Sequence, residues 1–403
     1  MTSKVAIIGQ GYVGLTISAY AAEHYQVIGF DFNQRIVDQL NECNSHIEGV
    51  SNETLRKFMD RGRYKATSKG GDISDAKIVI IAVPTPLNFE RKPDLSYIES
   101  ACRTIGESVR HPVLVINEST SYPGTLRNFI KPKIERYSNV NVEHKYAISP
   151  ERVDPGRIDF NQANTPRLYA GLDQEAIDLT KEFYSKFCNS LVHVSTPEVA
   201  EAAKLFENTF RQVNIALVNE FAQIAHALGI DVYETIEAAS TKPYGFMKFL
   251  PGAGVGGHCI PVDPTYLATV AEEHGAPATF IRRANEVNLQ MPRYIVNRIK
   301  ADNGGSVSGK KILVVGVSYK PNVADVRETP AAQIIQCLRD EGALVCWHDE
   351  IVKFWNDEES SPLMDADITV VVTKHESVSA TVILQSAKYI FDATGKLPGA
   401  HHL

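Results

Sequence analysis

The sequence predicts an α/β protein with two doubly wound parallel-sheet domains joined by a long central helix. Three observations carry that expectation. Short apolar runs alternate with helical patterns near both ends of the 403-residue chain. A glycine turn, Gly9-x-Gly11-x-x-Gly14, joins the first apolar run to the first helical pattern. Between the two alternating regions, apolar residues recur at helical spacing from Val199 to Leu228.

In the first region the runs are VAIIG (5–9), QVIGFD (26–31), IVIIAVP (78–84), VLVIN (113–117), YAISP (146–150) and LVHV (191–194). Strands apolar throughout, with helices between them, belong to a parallel sheet covered on both faces. The glycine turn between the first strand and helix is the arrangement of a Rossmann-like dinucleotide site. There a pyrophosphate rests on the unpaired N–H groups of the helix start. Asp31 ends the next strand, 22 positions after Gly9 (31 − 9), where a carboxylate can hold the ribose hydroxyls. It would also repel a 2′-phosphate, which favours NAD over NADP. The plainer reading of these glycines is a tight strand-to-helix turn.

Thr196-Pro197-Glu198 is a helix start, with a capping hydroxyl and proline at the first helical position, and Gly229 is the stop. Thirty-odd residues at 1.5 Å each make a rod of roughly 50 Å, long enough to join two domains and to build a subunit interface. The strand–helix rhythm resumes at KKILVVG (310–316), followed by ALVCWHD (343–349), ITVVVT (368–373) and YIFDATG (389–395). Its first turn, GVSYKPN, lacks the second and third fingerprint glycines, so it reads as a nucleotide site that holds no dinucleotide. NGGSVSG (303–309) reads as a linker. The expected domains are therefore a dinucleotide-binding domain 1–195, a central helical domain 196–302 and a second Rossmann-like domain 303–403.

The 41 basic and 48 acidic residues leave a net charge of −7, which offers no basic field for nucleic acid. An anionic substrate must be met by a local cluster of cations. Six cysteines, at 43, 102, 188, 259, 337 and 346, have no metal-ligand spacing and form no Cys-x-x-Cys pair, so no metal site is expected. Their scatter predicts reduced thiols in a cytoplasmic protein. No apolar run approaches the roughly 20 residues of a membrane span, and the N-terminus shows no signal-peptide cleavage region.

The stretch GAGVGGHCIPVD (252–263) concentrates the chemistry. Cys259 sits behind Gly256, Gly257 and His258, with Asp263 four residues on. Glycines let the backbone approach a bound molecule, and a thiol there suits covalent work on a carbonyl. The competing reading is a buried structural thiol. His258 either helps ionise the thiol or bonds to a loop carbonyl. Asp263 either positions a water or a lysine, or caps a helix starting near Pro264. On the long helix Lys204, Asn208 and Arg211 share one face at i, i+4, i+7, fit for a diphosphate or an oxyanion, or simply solvated. Thr120 and Glu151 each follow a predicted strand, where ligands bind in parallel sheets, or are turn residues.

Together GxGYVG, VPTP (83–86), STSYPGT (119–125), SPERV (149–153), KLFENTFR (204–211), NEFA (219–222), GGHCIPVD (256–263) and SYKPNVADVRETP (318–330) resemble the nucleotide-sugar dehydrogenases of the UDP-glucose/GDP-mannose dehydrogenase family. The resemblance runs from about residue 4 to about 395. It implies oxidation of a sugar C6 alcohol to a carboxylate with two NAD. Cys259 then resembles the nucleophile that captures the C6 aldehyde as a thiohemiacetal, which a second oxidation makes a thioester. Lys204 and Asn208 resemble the oxyanion-stabilising groups. Asp263, Thr120 and Glu151 match residues that order or activate water. Gly9, Gly11, Tyr12, Val13, Gly14, Asp31, Arg35, Val83, Pro84, Thr85 and Thr120 match cofactor contacts. Arg152, Val153, Lys204, Asn208, Arg211, Gly256, Tyr319, Lys320 and Arg327 match positions around a UDP-sugar.

Within the family, SPERVDPG and GGHCIPVD are most similar to the branch acting on UDP-N-acetylhexosamines, of the UDP-N-acetylglucosamine 6-dehydrogenase type. Arg152 stands where UDP-glucose enzymes carry phenylalanine, and Tyr244 where they place a neighbouring subunit's arginine. FDATGKLPG lacks an arginine that many relatives have after the aspartate, and Lys396 is the candidate replacement. The resemblance also implies polysaccharide biosynthesis and a homodimer or higher homo-oligomer through the central helix, with no membrane partner. The alternatives are a UDP-glucose 6-dehydrogenase, a two-electron hydroxyacid-type dehydrogenase and a non-catalytic NAD-responsive scaffold.

Overall fold

A computed structural model describes every residue except 1–2, 48, 154–158 and 364. The chain forms two compact units, Met1–Glu207 and Asn208–Leu403. In the first, eight strands form one sheet: β1 (Lys4–Ile8), β2 (Gln26–Phe30), β3 (Tyr64–Thr67), β4 (Ile78–Ile81), β5 (Leu114–Asn117), β6 (Lys145–Ile148), β7 (Arg167–Gly171) and β8 (Leu191–His193). Their order is β3-β2-β1-β4-β5-β6-β7-β8. The helices between them are α1 (Tyr12–Ala22), α2 (Gln34–Asn41), α3 (Asn52–Asp60), α4 (Ser96–Ser108), α5 (Lys131–Tyr137) and α6 (Gln174–Tyr184).

The apolar runs become sheet because alternate residues feed two separate cores. Val5 and Ile7 of β1 pack in one cluster with Ile80 and Ile116, while Ala6 and Ile8 pack in another with Val79, Ile81 and Val115. Both faces are covered, as a parallel sheet requires. The strand order reverses between β1 and β4, so the loops after these two strands meet at the crevice where ligands bind in such sheets.

α7 (Pro197–Leu228) starts behind the Thr196 hydroxyl, which accepts from Val199 N at 3.3 Å, and stops at Gly229, whose φ is +69°. The unit boundary falls inside this helix. The second unit adds α8 (Val232–Ser240), α9 (Asp263–Glu273), α10 (Thr279–Asp302), α11 (Pro330–Asp340) and α12 (Ala380–Leu384). Its strands are β9 (Lys311–Val315), β10 (Leu344–His348), β11 (Phe354–Trp355), β12 (Glu358–Glu359), β13 (Ala366–Val371), β14 (Ala387–Asp392) and β15 (His401–His402). The five-stranded sheet is all parallel, in order β10-β9-β13-β14-β15. Ile312 and Val314 face one core with α7 and α10 residues, and Leu313 and Val315 face the other.

Three features depart from the sequence expectation. β3, with its exposed Lys65, is a short strand that the search for apolar runs passes over. β7 runs antiparallel to β6, because no helix among the described residues lies between them to carry a parallel crossover. The β11–β12 hairpin is two residues per strand. The 24-residue α10 continues through Pro292. No helix among the described residues is long and apolar enough to cross a membrane.

Candidate active site

The glycine turn after β1 shows a different physical demand at each position. A Cβ on Gly9, whose φ is +92°, would lie 2.4 Å from Ala82 O at the end of β4. One on Gly14 would lie 1.8 Å from Gly9 O, so only glycine lets α1 sit this close to the strand. At Gly11 nothing stands within 4 Å. α1 begins there at Tyr12 and Val13 with no capping side chain and no acidic residue in its first turn. That is open space before a helix N-terminus, as an anionic pyrophosphate needs. Asp31 is fixed beside it, accepting from Gln10 N at 2.8 Å and Asn33 N at 2.9 Å. The residues present therefore fit NAD. Arg35 lies exposed on α2.

Val83 and Thr85 are buried and Pro84 is exposed in the loop after β4. Val83 N donates to Ser119 Oγ at 2.9 Å, which ties this loop to the segment carrying Thr120. Glu201 of α7 secures that segment further. Its buried carboxylate accepts from Gly124 N at 2.7 Å, and from Ser121 Oγ and Leu126 N at 3.0 Å. Burial pushes Glu201 up to about 7 against the pull of these donors.

Glu151 is buried and saturated. Oε1 accepts from Arg152 N at 2.7 Å and Val153 N at 2.5 Å. Oε2 accepts from Arg167 Nη2 at 3.1 Å and from the Gln162 amide. These four donors fill the acceptor capacity of a carboxylate. Burial opposes its ionisation, but Arg167, Gln162, Val153 N–H and Lys204 outweigh it and hold the carboxyl below its ordinary value. The carbonyl of Glu151 accepts from Lys204 Nζ at 2.5 Å, so the loop also places the lysine. Arg152 forks onto Glu207 at 2.6 and 3.1 Å. The Asp154, Pro155 and Gly156 of its motif lie outside the described residues.

In the second unit Cys259 is exposed, which rules out a buried structural thiol. Its carbonyl accepts from Asp263 N at 2.8 Å, at the first turn of α9. Asp263 is fully buried and its Oδ2 accepts from Asn208 Nδ2 at 2.6 Å, so it does not cap the helix. The cysteine loop lies against the 319–328 loop. Gly257 N donates to Arg327 O at 2.9 Å, and Cβ atoms on Gly256 and Gly257 would meet Tyr319 at 2.7 and 2.9 Å. Arg327 is held charged by its hydrogen bonds to Asp325, with Cys259 among the charges that reinforce it. His258 is close enough to help hold Asp325 ionised. Further along, Gly252 N donates to Asn219 Oδ1 at 2.9 Å, so α7 anchors the front of the loop.

The turn carrying Tyr319 and Lys320 has its own scaffold. Asp349, after β10, accepts from Val317 N at 2.8 Å and from His375 Nε2 at 3.0 Å. Its carboxylate is spent on the protein, at the strand end where Asp31 stands in the first unit. The structure thus joins Gly256, Cys259, Asp263, Asn208, Tyr319 and Arg327 in one unit. The other unit holds the glycine turn, Asp31, Thr85, Thr120, Glu151, Val153 and Lys204. Arg211, Tyr244 and Lys396 are exposed. Sequence reasoning passed over Arg167, Glu118, Glu201 and His375, and gave Asn219 no role within NEFA. Only their polarity inside apolar or helical runs could have marked them.

Three domains of the UDP-glucose/GDP-mannose dehydrogenase family match in order. The NAD binding domain covers residues 3–188, the central domain 198–290 and the UDP binding domain 313–397. The chain is 35% identical over 379 residues to a UDP-N-acetyl-D-mannosamine dehydrogenase of Pyrococcus horikoshii, covering 92% of this chain and 89% of that one. It is 36% identical over 364 residues to a UDP-N-acetyl-D-glucosamine 6-dehydrogenase of Salmonella typhi, covering 88% and 83%. The solved structure of a UDP-D-ManNAc dehydrogenase from Pyrococcus horikoshii superposes with a TM-score of 0.89 at 33% identity, over 99% of this chain and 98% of that one.

Proposed function

Since this chain belongs to the UDP-glucose/GDP-mannose dehydrogenase family and is an NAD-dependent nucleotide-sugar dehydrogenase, we propose that it oxidises C6 of a UDP-N-acetylhexosamine to the carboxylate at Cys259. The observation carrying this reading is the exposed Cys259 on a glycine loop docked on Tyr319 and Arg327, with Asp263 and Asn208 bonded behind it. The Gly9–Gly14 turn and Asp31 would hold NAD, and two NAD molecules in turn would each take one hydride from C6.

The first oxidation leaves an aldehyde. The Cys259 thiolate adds to its carbon and forms a thiohemiacetal, so the aldehyde cannot leave. Loss of the remaining C6 hydride gives the thioester. Water then cleaves the C–S bond, yielding the carboxylate and returning the sulfur. Lys204 and Asn208 face the developing oxyanion, and Lys204 also moves a proton. Asp263, Thr120 and Glu151 order or activate the water. Arg152, Val153, Arg211, Gly256, Tyr319, Lys320 and Arg327 hold the UDP-sugar, although Arg152 must leave Glu207 to touch a phosphate. The working division is cofactor domain 1–195, central helical domain 196–302 and UDP-sugar domain 303–403. α7 serves as the homodimer interface, and the product feeds polysaccharide biosynthesis.

The test is stoichiometry on a panel of UDP-N-acetylglucosamine, UDP-N-acetylmannosamine and UDP-glucose. Two NADH per carboxylate are expected, with an N-acetylated sugar turned over fastest. Cys259→Ser is expected to bind the sugar nucleotide and make no acid. Unchanged steady-state turnover in that variant, or one NADH per sugar in the native protein, would refute the thioester route.

A further inference from the structure

We propose that Arg167 is the positioning residue for the Glu151 carboxylate, and that Glu118 competes with Glu151 for its guanidinium. The inference rests on the reading of Glu151 as the group that activates water in thioester cleavage.

Arg167 opens β7 and is 4% exposed. Its Nη1 lies 2.9 Å from Glu118 Oε2 and its Nη2 lies 3.1 Å from Glu151 Oε2. The same Nη2 donates to Gln162 Oε1 at 2.5 Å, fixing the amide that in turn donates to Glu151. Nη1 also donates to Ser149 Oγ at 3.0 Å, at the root of the Glu151 loop. A planar guanidinium can serve two carboxylates and an amide in fixed directions, which a lysine ammonium cannot. Glu118 stands just past β5, beside the segment bearing Thr120, and accepts from the Tyr184 hydroxyl. The Tyr184 ring lies 4.5 Å under the guanidinium.

Two buried carboxylates thus share one buried cation. Each carboxylate disfavours the other's ionisation, and the guanidinium favours both. Burial pushes Glu118 up to about 7 although Arg167 pulls against it, while Glu151 is held down. The surrounding charged and titratable groups are Lys204 and the Arg152–Glu207 pair on one side, with Tyr184 and Cys188 behind. The unequal sharing favours Glu151 as the anion, with Glu118 the carboxyl that takes up a proton. A water-activating carboxylate needs that state, since a protonated one cannot take the proton.

The experiment follows single-turnover release of the carboxylate from UDP-N-acetylglucosamine against pH, in native protein, Arg167→Gln and Arg167→Gln/Glu118→Gln. Loss of the guanidinium is expected to move the acidic limb of the profile up by about one unit or more. Release at pH 7 should slow about 10- to 100-fold. The double variant removes one charge of each sign, so the pocket keeps its net charge. Its limb should fall between the other two, and it carries the test if the single variant does not fold. A double-variant limb coincident with the native one would overturn the inference, whatever its rate or melting temperature. Glu151→Gln is assayed alongside. If it releases acid at the native rate, the reading of Glu151 fails, which is a separate result from an unmoved limb.

Discussion

Lys204 is the residue whose placement most constrains the chemistry. Its ammonium lies 2.5 Å from the Glu151 carbonyl, half-buried on α7, with the Glu151 carboxylate contributing to its surroundings. An ammonium held by a loop that is itself clamped is oriented before substrate arrives, which is what oxyanion stabilisation requires. Lys204→Ala is therefore expected to lower kcat by about 10² to 10³, the usual cost of one oxyanion donor. Steady-state kinetics separates this from a binding role, since a loss confined to KM would make Lys204 a substrate anchor. The lysine and Cys259 are legible as chemistry in the sequence because their spacing and flanking glycines are local. The residues that orient them are not. Arg167 follows Glu151 by sixteen positions and Glu201 follows Thr120 by eighty-one, so only the folded sheet brings them together.

The β1–α1 turn shows how one element divides its demands between folding and binding. Gly14 is needed for the fold, because a methyl group there would overlap the Gly9 carbonyl at 1.8 Å. Gly11 faces open space and is not. Gly14→Ala is expected to cost about 1–3 kcal/mol of stability from overpacking. Gly11→Ala should leave stability within about 0.5 kcal/mol but weaken NAD about tenfold or more, by placing a methyl where the pyrophosphate belongs. Thermal melts with and without NAD measure both. Equal stability losses at the two positions would remove Gly11 from the cofactor site. The turn, the apolar strands and α7 were readable because their signals are periodic or glycine-marked. α10, in the stretch expected to be helical, continues through Pro292. Its missing N–H leaves the Asn288 carbonyl without a helical donor, and Gly254 packs against that oxygen, where a Cβ would come within 2.8 Å. β7 escaped because its antiparallel pairing depends on the connection before it, not on its own residues.

At the scale of the whole molecule, α7 presents two faces of different chemistry. Lys204, Asn208 and Arg211 lie on one side at 100° per residue. On the opposite side Val199, Phe206, Phe210, Leu217, Ile224 and Leu228 are all exposed, within an arc of about 40°. The stripe runs from Val199 to Leu228, ~44 Å at 1.5 Å per residue, and is costly to leave in water. The proposed occupant is a second copy of the chain, and the spacing gives its register. From Phe206 to Leu228 the steps are four, seven, seven and four, which reads the same in both directions about Leu217. A second copy of the chain, antiparallel about a two-fold axis at Leu217, would set Phe206 against Leu228 and Phe210 against Ile224 in an isologous contact. Leu217→Glu would bring two carboxylates together at that axis and is expected to convert the proposed dimer to monomer by light scattering. In a Cys259→Ser background, Leu217→Cys should oxidise to a covalent dimer, because only a residue on the axis meets its own copy. Phe210→Cys should not, since its opposite number is Ile224. A covalent dimer from Phe210→Cys and none from Leu217→Cys would move the axis, and a native protein that stays monomeric at micromolar concentration would leave the stripe to a different partner.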